Sequence, residues 1–233
     1  MNRGAWLLTA ELSVIVPTLD AERDLPRCLE ALMEGVTAGM IRELIVSDGG
    51  SSDATCLIAD EAGAVLLNGP ASRGGQLRRG AAAARGTWLL VLHADTALEP
   101  GWAEAVDAHL RSATGPAYFR LGFRARGLMP AWVAGWANLR ARLFGLPYGD
   151  QGLLVSQAEY HAAGGFPDQP LMEDVALIRK LNSGLTELPI RAVTCAERYV
   201  NAGWLRRGTR NLWTLARYFA GTDPKDLVTG YRR

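Results

Sequence analysis

Asp95 stands two residues after His93, at the end of the apolar run Leu89-Leu90-Val91-Leu92. Such a run reads as a buried strand, and it delivers an acid and an imidazole to the strand's carboxyl end. A carboxylate there suits a divalent metal or a phosphate-bearing ligand, because ligands of open α/β sheets collect at that edge. The plainer reading makes Asp95 the cap of a following helix and His93 a satisfied core histidine. Three further loops bear on the choice. Residues 12–16 are strand-like and run into Pro17, Thr18 and Asp20. Residues 43–46 run into Ser47-Asp48-Gly49-Gly50-Ser51-Ser52-Asp53, and residues 64–67 run into Asn68, Gly69, Pro70 and then Arg73. Between them lie helical patterns: Leu25, Cys28, Leu29, Leu32 and Met33 share one face, and residues 76–85 are rich in alanine. Strand–helix alternation predicts an α/β fold whose parallel sheet presents all four loops on one edge. Asp20, Asp48, Arg73 and Asp95 are then expected to line one crevice.

These elements, in this order, resemble the amino-terminal half of a family 2 glycosyltransferase with the GT-A fold. The resemblance rests on residues 13–18 with Asp20, on residues 46–53, on Arg73-Gly74 ahead of a small-residue helix, and on Ala84-Arg85-Gly86 and Leu92-His93-Ala94-Asp95. It covers roughly residues 12 to 190. Gly149-Asp150-Gln151-Gly152 and Pro170-Leu171-Met172-Glu173-Asp174 are similar to a small soluble bacterial subgroup of that family, some members of which are associated with arsenosugar biosynthesis. The resemblance implies transfer of a sugar from a nucleotide-diphosphate sugar, a UDP-sugar in first place, to an acceptor hydroxyl, with inversion and Mn²⁺ or Mg²⁺. It implies that Asp174 is the catalytic base, with Glu173 beside it and Asp150 next in line. It places Asp48 on the base, Asp20 nearby, and Pro17 and Thr18 around the pocket. Asp150, Gln151, Trp132 and Trp136 fall on the acceptor side. Family members usually carry Asp-x-Asp where this chain has His93-Ala94-Asp95. Asp95, in the place of the usual ligand, remains, so metal binding survives, and His93 either ligates, contacts the donor or packs.

The chemistry is consistent with those assignments. Magnesium and manganese take one or two carboxylates and complete their shells with waters and phosphates. Arginine suits bidentate phosphate binding, which fits Arg73. No Walker or Rossmann glycine motif is present. A sugar-nucleotide nucleotidyltransferase is the first alternative, but its glycine-rich start with a following Arg and Lys is missing after Val16. A non-catalytic nucleotide-sugar-binding module is the second. The chain lacks Gln-x-x-Arg-Trp, which the family's processive synthases carry, so a single-addition enzyme is expected.

The 233 residues fit a single domain, with a nucleotide-sugar-binding half (12–115), an acceptor-side half (116–195) and a basic helical tail (196–233). Residues 117–124 alternate and read as a half-exposed, antiparallel strand. Residues 153–155 and 188–190 are short strand candidates. Net charge is +1, which argues against nucleic acid. The tail, however, holds eight Lys/Arg against three Asp/Glu. Arg206, Arg207 and Arg210, expected just before an amphipathic helix with Leu212, Leu215, Ala216 and Phe219 on one face, either close over the donor diphosphate or contact anionic lipid. Gly203 and Gly208 would let that segment move. Trp132 and Trp136, four apart in an uncharged stretch of residues 127–139, either pack in the core or meet an acceptor or membrane. Three cysteines without a C-x-x-C pair point to a reducing compartment. Residues 1–11 show no leader pattern, and a cytoplasmic protein with at most peripheral membrane contact is expected.

Overall fold

The computed structural model describes residues 11–112 and 115–232, the last four by backbone alone. The expectation about a leader concerns residues 1–10, outside the described residues. The amino-terminal half runs β1 (Leu12–Thr18), α1 (Leu25–Thr37), β2 (Ile41–Asp48), α2 (Thr55–Glu61), β3 (Val65–Asn68), α3 (Arg73–Ala83) and β4 (Trp88–Val91). Short β5 (Thr96–Leu98) and α4 (Trp102–Ser112) come next. The second half runs β6 (Ala117–Phe123), α5 (Leu128–Phe144), a 3₁₀ turn (Gly149–Gln151), β7 (Leu153–Ser156), α6 (Gln157–Ala162), α7 (Glu173–Ile178) and β8 (Thr186–Thr194). The tail forms α8 (Glu197–Ala202), α9 (Trp204–Phe219) and α10 (Pro224–Arg232).

Among the described residues the strands form one sheet in the order β3-β2-β1-β4-β7-β6-β8-β5. The first four are mutually parallel, so their carboxyl ends share one edge. The chain leaves β1 toward β2 and β3, then returns to β4 on the other side of β1. That reversal makes the β1/β4 boundary the topological switch point, where a crevice opens in sheets of this kind. Strands β1 and β4 are buried on both faces. Val14, Val16, Leu90 and Leu92 pack with α1 and α4, including Leu25, Cys28, Leu32 and Trp102. Ile15, Leu89 and Val91 pack on the opposite face with Leu77, Ala81 and Leu177. A separate cluster of Leu171, Met172, Val175, Leu215 and Leu227 fastens the tail helices to the α7 region.

Several expectations change. Strand β6 meets β7 antiparallel only at Ala117 and instead runs parallel to β8 along its length. Met33 is exposed, because the inner face of α1 continues from Leu32 to Gly35. Trp132 and Trp136 are exposed and do not pack in the core. Arg206, Arg207 and Arg210 lie inside α9, not before it. Of the predicted tail stripe only Leu215 is buried; Arg207 and Thr214 share its inward side.

Candidate active site

The carboxyl ends of β1 and β2 are tied into one rigid rim. Asp48 Oδ1 accepts hydroxyl bonds from Thr18 (2.8 Å) and Ser51 (2.5 Å), while Oδ2 accepts the Gly50 and Ser51 N–H groups, both at 2.7 Å. Burial pushes this carboxyl's pKa up, but the bonds from Ser51, Thr18 and Gly50 outweigh it and hold the group below its ordinary value. Four donors fill a carboxylate's acceptor sites. Asp48 therefore ties the rim together from the end of β2. Asp20 adopts a left-handed backbone, φ 48°, and its Oδ1 accepts the Ser52 N–H at 2.8 Å. Gln76 Nε2 donates to the carbonyls of Thr18 (2.7 Å) and Ser47 (3.0 Å), closing the rim from α3.

His93 and Asp95 occupy the β4–β5 connection. Asp95 leads directly into a strand, β5, so the helix-cap reading is excluded. The Cys195 N–H donates to the Asp95 carbonyl at 3.1 Å, which holds the connection against the end of β8. Among the described residues, the Asp95 carboxylate has only long contacts, from the Thr96 (3.3 Å) and Thr194 (3.4 Å) hydroxyls. Desolvation, then the Arg73 and Arg198 guanidiniums, push the His93 imidazole well below its usual pKa, so it is neutral with a lone pair to offer. A Cβ on Gly149 would lie 2.5 Å from His93 Nε2, so only glycine lets the 3₁₀ turn approach this ring.

The same turn meets α7. Asp174 Oδ2 accepts the Gly149 N–H at 2.6 Å and Oδ1 accepts the Val175 N–H at 2.7 Å. Met172, at φ 62°, turns the chain into that helix. Glu173 is 1% exposed and its Oε1 lies 3.7 Å from Arg73 Nε. Burial, with Asp174 adding to it, pushes its pKa up to about 8 against the pull of Arg73. Asp150 is pushed up to about 6, mainly by burial, with Arg140 opposing and Asp174 and Asp95 assisting. Gln151 is fully buried; its side chain donates to the Phe119 carbonyl and accepts the Tyr148 N–H, which fixes the turn.

Two connected cavities result. The larger, about 770 Å³, is bordered by Pro17, Thr18, Asp20, Arg73, His93 and Asp95 and by Arg198, Arg206, Arg207 and Arg210 of the tail. The smaller, about 90 Å³, is bordered by Asp150, Glu173 and Asp174 and shares Arg73, His93, Asp95, Arg198 and Arg207 with the first. Trp132 and Trp136 border neither cavity. Residues 13–119 match the sequence profile of the family described as Glycosyl transferase family 2. That stretch is similar to this family. A PGL/p-HBAD biosynthesis glycosyltransferase of Mycobacterium tuberculosis is 34% identical over 93 residues, 37% of this chain and 36% of that one. A TPR repeat-containing protein of Synechococcus elongatus is 42% identical over 100 residues, 42% of this chain and 23% of that one. The chain thus spans well under half the length of these curated relatives. Glucosyl-3-phosphoglycerate synthase from M. tuberculosis, solved with Mn²⁺, UDP and glucosyl-3-phosphoglycerate, is similar in structure with a TM-score of 0.59 at 19% identity, over 86% of this chain and 78% of that one. The fold is of the GT-A type.

Within this site, the donor set fits a hard divalent cation. No group of three or more His, Cys, Asp or Glu that could hold a metal occurs among the described residues. A site of one carboxylate and one neutral imidazole suits an ion whose remaining ligands are waters and phosphates. Asp95, loosely held and bordering both cavities, and His93 are the residues that would hold it. Gln76, Thr194, Tyr148, Tyr199 and Asn211 were not anticipated. Thr194 and Asn211 reach the site only through tertiary contacts of β8 and α9, which local pattern does not encode. Gln76 had a signal: a lone amide on the inner face of an otherwise small-residue helix.

Proposed function

We propose that the protein transfers a sugar from a nucleoside-diphosphate sugar, a UDP-sugar first, to an acceptor hydroxyl, with inversion and one addition per encounter. The observation that carries this reading is the pairing of two cavities across Asp95. The larger combines the β1 rim with cationic tail residues, as a nucleoside diphosphate requires. The smaller gathers carboxyl groups, as deprotonation of a hydroxyl requires. A divalent cation held by Asp95 and His93 would supply Lewis-acid neutralisation of the leaving diphosphate. Arg73, with tail arginines, adds fixed positive charge to the same cavity. Asp174 is the base in this reading: two backbone N–H bonds fix its orientation, and it borders the inner cavity. Asp150, with a pKa near working pH, stands next to it. Glu173 retains its proton at neutral pH and braces Arg73. The three-part domain division, with a cytoplasmic location, belongs to the same proposal; no helix among the described residues is long and apolar enough to cross a membrane.

The test incubates the purified chain with UDP-glucose and other nucleotide sugars, with and without Mn²⁺, and measures free nucleoside diphosphate. Metal-dependent release, increased by an acceptor pool, supports transfer. Pyrophosphate release would move the protein to nucleotidyl chemistry, and binding without release would make it a binding module.

A further inference from the structure

Helix α5 is apolar on the side it turns to solvent. Leu128, Trp132, Trp136, Leu139 and Leu143 recur every three or four residues, hence on one face, and all are exposed, Leu128 at 89%, Trp132 at 54% and Trp136 at 51%. Its polar groups turn elsewhere. Asn138 bonds the Leu121 backbone, Arg140 covers the Tyr148 ring and Arg142 pairs with Glu187. Helix α9 packs against α5 and has the same inversion. Leu205, Leu212 and Phe219 recur at seven-residue steps and are exposed. Beside them runs a second stripe, Arg206, Arg210, Trp213 and Arg217, at steps of four, three and four, with Trp213 66% exposed; its first two arginines also border the larger cavity. Neither helix contains an Asp or Glu.

Exposed apolar faces of this extent mark an interaction surface. Its charge selects the occupant. A two-fold copy would set the same arginine stripe against itself. An apolar arc of Leu, Phe and Trp edged by arginines, without acids, matches the headgroup region of an anionic bilayer. We propose that the outward faces of α5 and α9 form a docking surface for an anionic lipid membrane.

The proposal is independent of sugar transfer, because it is tested without donor or metal. The chain is sedimented with vesicles of phosphatidylcholine alone and of phosphatidylcholine with phosphatidylglycerol. Binding is expected to the anionic vesicles, weakened by salt. Replacing Trp132 and Trp136 together by Ser, or Leu212 and Trp213 together by Ser, should lower the partition roughly tenfold or more. Arg217→Glu should remove most of the preference for anionic over neutral vesicles. All three variants should melt with the parent, since the side chains are exposed. A parent that stays in the supernatant with both vesicle types overturns the proposal. So does a dimer in solution that the same substitutions dissociate, which would assign the face to a second copy.

Discussion

Asp95 borders both cavities and Asp174 only the inner one, so their substitution should separate binding from chemistry. Asp95→Asn is expected to abolish Mn²⁺-dependent UDP binding, read by calorimetry, with an unchanged melting temperature. Asp174→Asn should bind UDP and Mn²⁺ as the parent does yet turn over more slowly by about 10²–10⁴-fold, the size of a lost general base. Equal turnover would move the base to Asp150. Glu173 makes a separate prediction. Its ordinary pKa of 4.5 is raised to about 8 in the fold. The folded state therefore keeps a proton that the unfolded chain releases, and this group's contribution is full below the lower value and lost as pH rises to the upper one. Glu173→Gln cannot ionise, so the variant's melting temperature should gain a few degrees on the parent's between about pH 5 and about pH 9. A parallel pH dependence in both proteins would refute the buried-proton account. At this scale the sequence showed which acids stand at strand ends, because position in a pattern is local. It did not show that Asp48 spends its oxygens on its own loop and on Thr18, since that depends on where Thr18 of another strand falls.

Helix α3 brings Arg73 to the site because its first turn docks on backbone. The Gly74 N–H donates to the Gln169 carbonyl at 3.0 Å, and a Cβ there would lie 2.0 Å from the Pro167 carbonyl oxygen. The obstructing atoms are main chain and cannot swing aside. Gly74→Ala should cost about 1–3 kcal/mol in chemical denaturation and weaken nucleotide binding by displacing Arg73. Gly208, inside α9 with nothing near its Cβ position, is the matched opposite. Gly208→Ala should stabilise by about 0.5–1 kcal/mol, the usual gain of replacing glycine within a helix. The parallel elements were legible because β1 and β4 are apolar on both faces and their helices carry clear periodicity. The second half was less so. Residues 186–194 form one strand, β8, although alternation suggested only residues 188–190, and its parallel pairing with β6 is a tertiary choice. Periodicity in α9 also pointed to the wrong face, because its inner side carries Arg207 and Thr214 and its apolar arc faces out.

The acidic body and basic tail meet at the crevice, where α8 and α9 supply one wall of the larger cavity. The joint between these helices is Gly203, at φ 83°, a conformation that glycine adopts without strain. Beyond it Arg206, Arg207 and Arg210 all border the crevice, so a small shift of α9 about this joint would bring them onto a diphosphate. Such closure would exclude water from the donor and add to the charge neutralisation that Arg73 supplies. The expectation is that UDP with Mn²⁺, in the absence of lipid, slows tryptic cleavage after Arg198, Arg206 and Arg210, followed by mass spectrometry. Arg217 lies on the outward stripe and does not border the crevice, so nucleotide should leave its cleavage rate unchanged. Anionic vesicles should do the reverse, protecting Arg217 whether or not nucleotide is present. Two protections that respond to different ligands would show that α9 serves the crevice with its first turns and the surface with its last. A cleavage pattern indifferent to nucleotide would make the arginines a fixed wall and leave Gly203 as a turn alone.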